Sequence, residues 1–181
     1  MSLVLPENSF QFGEYNSLDD LGIHCEAYDT LIPPKRSRKI EIPGRNGLYD
    51  FGSETYDERT LVLECKLIEQ ITKAQLREVA YKLSGKKKLV LWDEPDKYYT
   101  AELFDPTEIT NIADRLWLEF SLTFTCEPFA MTETKDFSLG IGPNDIDYGG
   151  TAKTPTLITL HNSNDFAVSN ITITAVRRKK G

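Results

Sequence analysis

The stretch from residue 116 to residue 126 constrains the fold more than any other. Leu116, Leu118, Phe120, Leu122, Phe124 and Cys126 alternate without a break against Trp117, Glu119, Ser121, Thr123 and Thr125. A strict period of two places the first set on one face of a β-strand and the second on the other; a helix would scatter both sets around its axis. Pro128 ends the strand, because proline brings no amide to a ladder. A chain built around such a strand is mainly β.

A second strand with the same character covers residues 59–68. Leu61, Leu63, Cys65 and Leu67 share one face, and Val62, Glu64 and Lys66 point the other way, so one side is mainly wet. A hairpin follows further on, with a strand at 88–92, a turn at Asp93-Glu94-Pro95-Asp96 and a return strand at 97–104. Between these lies the single helix the pattern supports, over residues 72–84. Thr72 and Gln75 form a capping box, Ile71 and Leu76 a hydrophobic staple. Leu76, Val79, Ala80 and Leu83 recur at helical spacing, and Gly85 ends the run. Lys82 and Lys86, Lys87 and Lys88 suit the negative end of that helix and read as solvated charges rather than a nucleic-acid patch.

Residues 10–31 read as two short strands around a loop containing Asn16-Ser17 and Asp19-Asp20, after which Pro33-Pro34 imposes an extended connection. Lys39-Ile40-Glu41-Ile42 is a short alternating strand stopped by two turn dipeptides, Pro43-Gly44 and Asn46-Gly47. Both glycines are expected at positive φ, where a side chain would be strained.

The pattern changes after Phe129. Residues 131–155 hold Gly140, Gly142, Pro143, Gly149 and Gly150 with little periodicity and read as a linker or long loop. Residues 156–161 and 168–177 read as two more strands, joined by Asn162-Ser163-Asn164-Asp165. Such a hairpin is marginal alone, so residues 156–181 are expected to pack on the first domain, join a neighbour or begin a second domain. The division expected is 1–130, 131–155 and 156–181.

Composition excludes several classes of function. The net charge of −7 argues against general nucleic-acid affinity, and the basic residues Arg177, Arg178, Lys179 and Lys180 read as a solvated tail. Cys25, Cys65 and Cys126 are widely spaced and read as small buried hydrophobes of a reducing compartment. No stretch approaches the roughly 20 apolar residues of a membrane span, and residues 1–10 do not form a secretory signal. The two histidines, His24 and His161, lie far apart, and no ligand set for a closed zinc site accompanies His24-Cys25. There is no GxSxG nucleophile elbow. Asp145-Ile146-Asp147 lacks the later ligands of a calcium loop, and Gly140-Ile141-Gly142-Pro143 has no flanking strand and helix to make it a phosphate cradle. No catalytic, metal or cofactor residue is expected. The informative side chains are aromatic. Tyr98 and Tyr99 face opposite ways on one strand, and Trp117 stands on the polar face of the long strand. Core packing accounts for one tyrosine. An interface anchor or a sugar-stacking platform are the functional alternatives for Trp117, Tyr98 and Tyr99.

Taken in order, Phe10-Gln11-Phe12-Gly13-Glu14-Tyr15-Asn16-Ser17, Leu21-Gly22-Ile23, the turn at Pro43, Gly44, Asn46 and Gly47, Tyr56 and Arg59, the helix, Tyr98-Tyr99 and Phe124-Thr125-Cys126-Glu127-Pro128 resemble the N-terminal domain of the distal tail protein family of long-tailed phages and prophages. The resemblance covers roughly residues 8–130. It implies an antiparallel β-sandwich-like domain with one packed α-helix. It also implies a structural, non-enzymatic role as a subunit of a homohexameric ring at the distal end of the tail tube. That ring would contact the tube protein and the tail-tip or baseplate proteins that recognise the host. The location implied is the virion tail, with the host cytoplasm before assembly. Many members carry a galectin-like sandwich after this point, of which residues 156–181 supply only possible first strands. A carbohydrate-binding module is the rival reading.

Overall fold

Alternating strands with one apolar face must bury that face. This chain does so by curling one sheet around a single core. The computed structural model describes residues 5–29, 33–37, 39–50, 55–69, 71–103, 109–112, 117–152 and 154–176, and leaves the side chains of residues 27, 29, 50, 109–112, 117 and 118 undescribed. The elements are β1 (Phe10–Phe12), β2 (Tyr15–Asn16), β3 (Ile23–Asp29), β4 (Lys39–Glu41), β5 (Leu48–Asp50), β6 (Arg59–Leu67), α1 (Lys73–Lys82), β7 (Lys87–Leu91), β8 (Tyr99–Leu103), β9 (Ile109–Ile112) and β10 (Trp117–Cys126). The main sheet runs β2-β1-β7-β8-β10-β6-β3, with β9 also paired to β10. Every pairing in it is antiparallel. The fold is mainly β with one short helix, as the periodicities predict.

The long strand is the centre of this sheet. Residues 119–126 of β10 pair with β6 along one edge. Its other edge is shared end to end, Phe124–Cys126 with β8 and Trp117–Phe120 with β9. Phe120, Leu122, Phe124 and Cys126 are buried beside Leu61, Leu63, Cys65 and Leu67 of β6. On the outer face Ser121 donates to Glu64 at 3.0 Å, a cross-strand pair in water. The curl brings strands that are not neighbours in the sheet onto one another. The Phe124 ring meets Phe12 at 5.2 Å and Phe10 edge-on at 6.1 Å, although β1 and β10 are separated by β7 and β8. On β3, at the far end of the order, Tyr28 packs edge-on against Trp92, just past β7.

Hydrogen bonds from outside regular pairing tie the two sheet ends together. The Ile23 amide donates to the Ser17 carbonyl at 2.6 Å, and the Cys25 amide donates to Asn8 at 2.9 Å. Ser17 is wholly buried. Its amide donates to the Phe10 carbonyl at 2.8 Å, and its hydroxyl oxygen accepts from the Phe10 amide at 3.0 Å. One serine thereby satisfies both main-chain groups of Phe10, which burial would otherwise leave at a cost. A bulge in β3 adds Glu26 between Cys25 and Ala27. The extra residue inverts the inward parity, so Ile23 and Cys25 face the core before it and Tyr28 after it.

The helix begins where its cap predicts. Thr72 is the N-cap, and the reciprocal bonds with Gln75 are both present. The helix is narrower in its burial than its stripe suggests: Leu83, just past its last residue, is buried, Val79 packs partly on the core and Ala80 is exposed. At its C-terminal end the Lys87 ammonium donates to the Lys82 carbonyl at 2.7 Å, where the helix dipole favours a cation. No helix among the described residues is long and apolar enough to cross a membrane.

The chain divides into two units, Met1–Leu139 and Gly140–Gly181. In the second, the strands expected at 156–161 and 168–177 do not form among the described residues. Leu157, Leu160, Phe166, Ile171 and Val176 are exposed there. Alternation makes a strand only where a sheet accepts it, and two strands alone gain too little burial to offset the order they require. Its local order comes instead from side-chain bonds: Asn144 brackets the Gly140 and Gly142 carbonyls, each at 2.8 Å, and the Tyr148 hydroxyl donates to Ala152 at 2.6 Å.

Two substitutions separate sheet closure from helix capping. Ser17→Ala leaves the buried Phe10 amide without its acceptor and is expected to cost about 1–3 kcal/mol. Thr72→Ala removes an exposed cap and is expected to cost about 1 kcal/mol. Urea unfolding midpoints of the two variants check both values and their order.

Candidate assembly surface

Between β3 and β6 the chain leaves the main sheet and builds a ribbon of its own. Its base is an antiparallel bridge between Lys35 and Tyr56. The Arg36 amide donates to the Thr55 carbonyl at 3.0 Å and the Asp57 amide to Pro34 at 2.9 Å. The Arg36 guanidinium also meets the Asp57 carboxylate at 2.6 Å. Beyond this base β4 and β5 form a separate two-stranded sheet, with Lys39 opposite Asp50, Ile40 opposite Tyr49 and Glu41 opposite Leu48.

The tip follows from its two glycine dipeptides. The Arg45 amide donates to the Ile42 carbonyl at 3.1 Å, with Pro43 and Gly44 between them and Gly44 at φ +82°. This is the geometry of a type II turn, whose third residue needs positive φ and whose second favours proline. Gly47 stands at φ +79° immediately before β5. Open space surrounds both glycines, so backbone strain alone selects the residue. The strand expected at 39–42 is thus half of a hairpin. Its return strand, Leu48–Asp50, is too short to announce itself by period.

Among its described residues the ribbon has no buried hydrophobic side chain. Ile40 and Tyr49, cross-strand partners on one face, are each 38% exposed, and Leu48 on the other face is 61% exposed. The Arg45 guanidinium lies 5.0 Å from the Tyr49 ring centre, a contact that covers part of the aromatic face at small gain in water. The base is held to the main body by the Tyr56 ring, edge-on to Phe129 at 5.0 Å.

The three aromatic residues singled out in the sequence fall in three environments. Tyr99 is 6% exposed, under the Arg59 guanidinium at 5.1 Å. Burial holds its hydroxyl above the ordinary tyrosine range against the pull of Arg59. Tyr98 is half-buried at the surface, and its main chain exchanges two hydrogen bonds of 2.8 Å with Met131. The Lys88 ammonium sits 4.2 Å from the centre of its ring and pairs with Glu133. Trp117 opens β10, and its side chain lies outside the described residues. Among the described residues, Tyr98, Tyr99 and the ribbon tip do not line one pocket.

The other polar candidates have structural partners. Asp93 accepts a hydrogen bond from the Tyr28 hydroxyl, and Glu94 pairs with Lys97 across the same turn. Among the described residues no group of three His, Cys, Asp or Glu is placed to hold a metal ion.

Known proteins resemble this chain in sequence pattern and in fold. A family model described as a phage tail protein RIFT-related domain matches residues 19–126. No curated protein sequence matches. Among solved structures, the crystal structure of the Dit (gp 19.1) protein of phage SPP1 superposes with a TM-score of 0.56 at 15% identity, over 69% of this chain and 52% of that one. That protein is described as a paradigm of the hub adsorption apparatus in phages that infect Gram-positive bacteria. At this identity the likeness is one of fold, and the chain spans about half the length of the SPP1 protein.

The strain at the tip can be measured apart from the core. Gly44→Val and Gly47→Val each force a β-branched residue to positive φ, at a cost of roughly 1–2 kcal/mol. The expected outcome is faster protease cleavage within residues 42–47 and a lower melting midpoint, by an amount capped at the free energy of opening the ribbon alone.

Proposed function

The chain belongs to the phage tail protein RIFT-related domain family, and from that premise we propose that it is a distal tail hub subunit that closes into a homohexameric ring. The ring sits at the end of the tail tube in the virion, between the tube protein and the tail-tip or baseplate proteins. The separate, exposed ribbon is the observation that carries this reading. A two-stranded sheet with apolar residues on both faces is marginal in water, and Ile40, Ile42, Leu48 and Tyr49 are all exposed on it. A neighbouring subunit that receives the ribbon would bury both faces.

A cyclic ring needs two different patches on each subunit, one to give and one to receive. The ribbon gives. Tyr98 and Trp117 are the aromatic anchors proposed for contacts of the main body, since tyrosine and tryptophan dominate interface energetics. The alternating residues of 156–176 suit strands that join a sheet outside the first unit, in keeping with the galectin-like sandwich of the resembling family. The carbohydrate-binding reading has less support. A sugar stacks on an open aromatic face, whereas Tyr99 is buried and the Lys88 ammonium lies against the Tyr98 ring.

Sedimentation at near-millimolar concentration, with particle images for symmetry, tests the proposal. A six-membered ring is expected. Ile40→Asp and Leu48→Asp should each weaken association at least about tenfold, about 1.4 kcal/mol, without moving the melting midpoint. An isologous dimer at all concentrations, with its two-fold interface covering the ribbon, would overturn the ring.

A further inference from the structure

We propose that Cys25 and Cys65 are a disulfide-forming pair that fastens β3 to β6 at the root of the ribbon. The two residues are register partners on adjacent antiparallel strands. Directly opposed residues in such a ladder lie about 4.5 or about 5.5 Å apart at Cα. A disulfide accepts about 4.4–6.8 Å, a range that covers both kinds of pair. Opposed side chains also share a face, and both cysteines are buried in the core beside one another. Its hydrogen bond with Cys25, and after that burial, holds the Cys65 thiol well above the ordinary thiol range. Cys126 is buried as well, but it lies opposite Arg59 and Ala101, with no cysteine as register partner.

The chemistry needs an oxidant, and a small-molecule disulfide serves. The thiolate of one cysteine attacks that reagent and releases one thiol, leaving a mixed disulfide. The second cysteine then attacks the protein-bound sulfur, closes the Cys25–Cys65 bond and releases the second thiol. Two protein thiols lose two protons and two electrons, and the reagent is reduced to two thiols. Burial and the raised thiol range make the pair inert in the closed fold. The reaction therefore runs through opening of β3, a terminal strand of the sheet order.

The cross-link would close a loop that contains the whole ribbon. Loop closure of that length removes much entropy from the unfolded chain. The timing rests on the tail-hub reading: a subunit made in a reducing cytoplasm folds and assembles as the dithiol, and the released particle meets oxidants. The bond itself is independent of that reading.

The full chain, purified reduced, is incubated with oxidised glutathione in native buffer, then denatured, alkylated and analysed by intact mass and peptide mapping. The expected product is lighter by two hydrogens, joins Cys25 to Cys65, leaves Cys126 alkylated and melts on the order of 10 °C higher. Cys126→Ala should behave as the wild type, and Cys25→Ala should lose both the cross-link and the shift. Separate alkylation of Cys25 and Cys65 would overturn the proposal. So would a bond to Cys126 or between chains, a Cys25–Cys65 bond that forms only in denaturant, or a cross-linked form that melts no higher. Sedimentation of both redox forms keeps a failure of the ring distinct from a failure of the cross-link.

Discussion

The packing of Phe124 against Phe10 and Phe12 is the contact on which the molecule depends. A flat antiparallel sheet with one apolar face would leave that face wet or require a second sheet. Here rings from β1 and β10, separated by two strands, meet only because the sheet has curled. Each ring buries a large apolar surface, and the edge-on and tilted arrangements suit their quadrupoles. The closing hydrogen bonds at Ser17 and Asn8 become possible only at that curvature. Helix α1 and its neighbours then add Leu83, Val79 and Ile71 to a core already defined by strands.

Much of this was legible. The alternations of β6 and β10 predict both their direction and their buried faces, because each strand has one wet side. The capping box places the helix start, and Pro43-Gly44 with Asn46-Gly47 places two positive-φ residues. These signals are local, and local chemistry decides them. What escaped reading is non-local or breaks a period. Ser17 looks like a loop residue until Phe10 is seen to need two partners. The bulge at Glu26 interrupts the alternation of β3, so Tyr28 cannot be assigned to the inner face from pattern alone. Residues 156–176 show the converse, where the period is present and no strand forms among the described residues.

The assembly surface was legible in part for the same reasons. The turn chemistry of the ribbon tip stands in the sequence, while the bridge at its base joins residues far apart in the chain and has no motif. Tyr98 and Tyr99 divide between surface and core as their opposite orientations require, but which tyrosine takes which place depends on the register between β7 and β8. That register places Tyr99 opposite Leu89, and therefore inside.

The ribbon hangs from one end of a hairpin. Asp29 of β3 pairs with Val62 of β6, so the chain leaves the main sheet and re-enters it at adjoining points of one ladder. Everything between them is, in topological terms, an insertion into one hairpin. Lengthening or shortening it shifts no core strand and costs only the slowly rising entropy of loop closure. An engineer can therefore exchange the ribbon as a cassette while the strands beneath it keep their register.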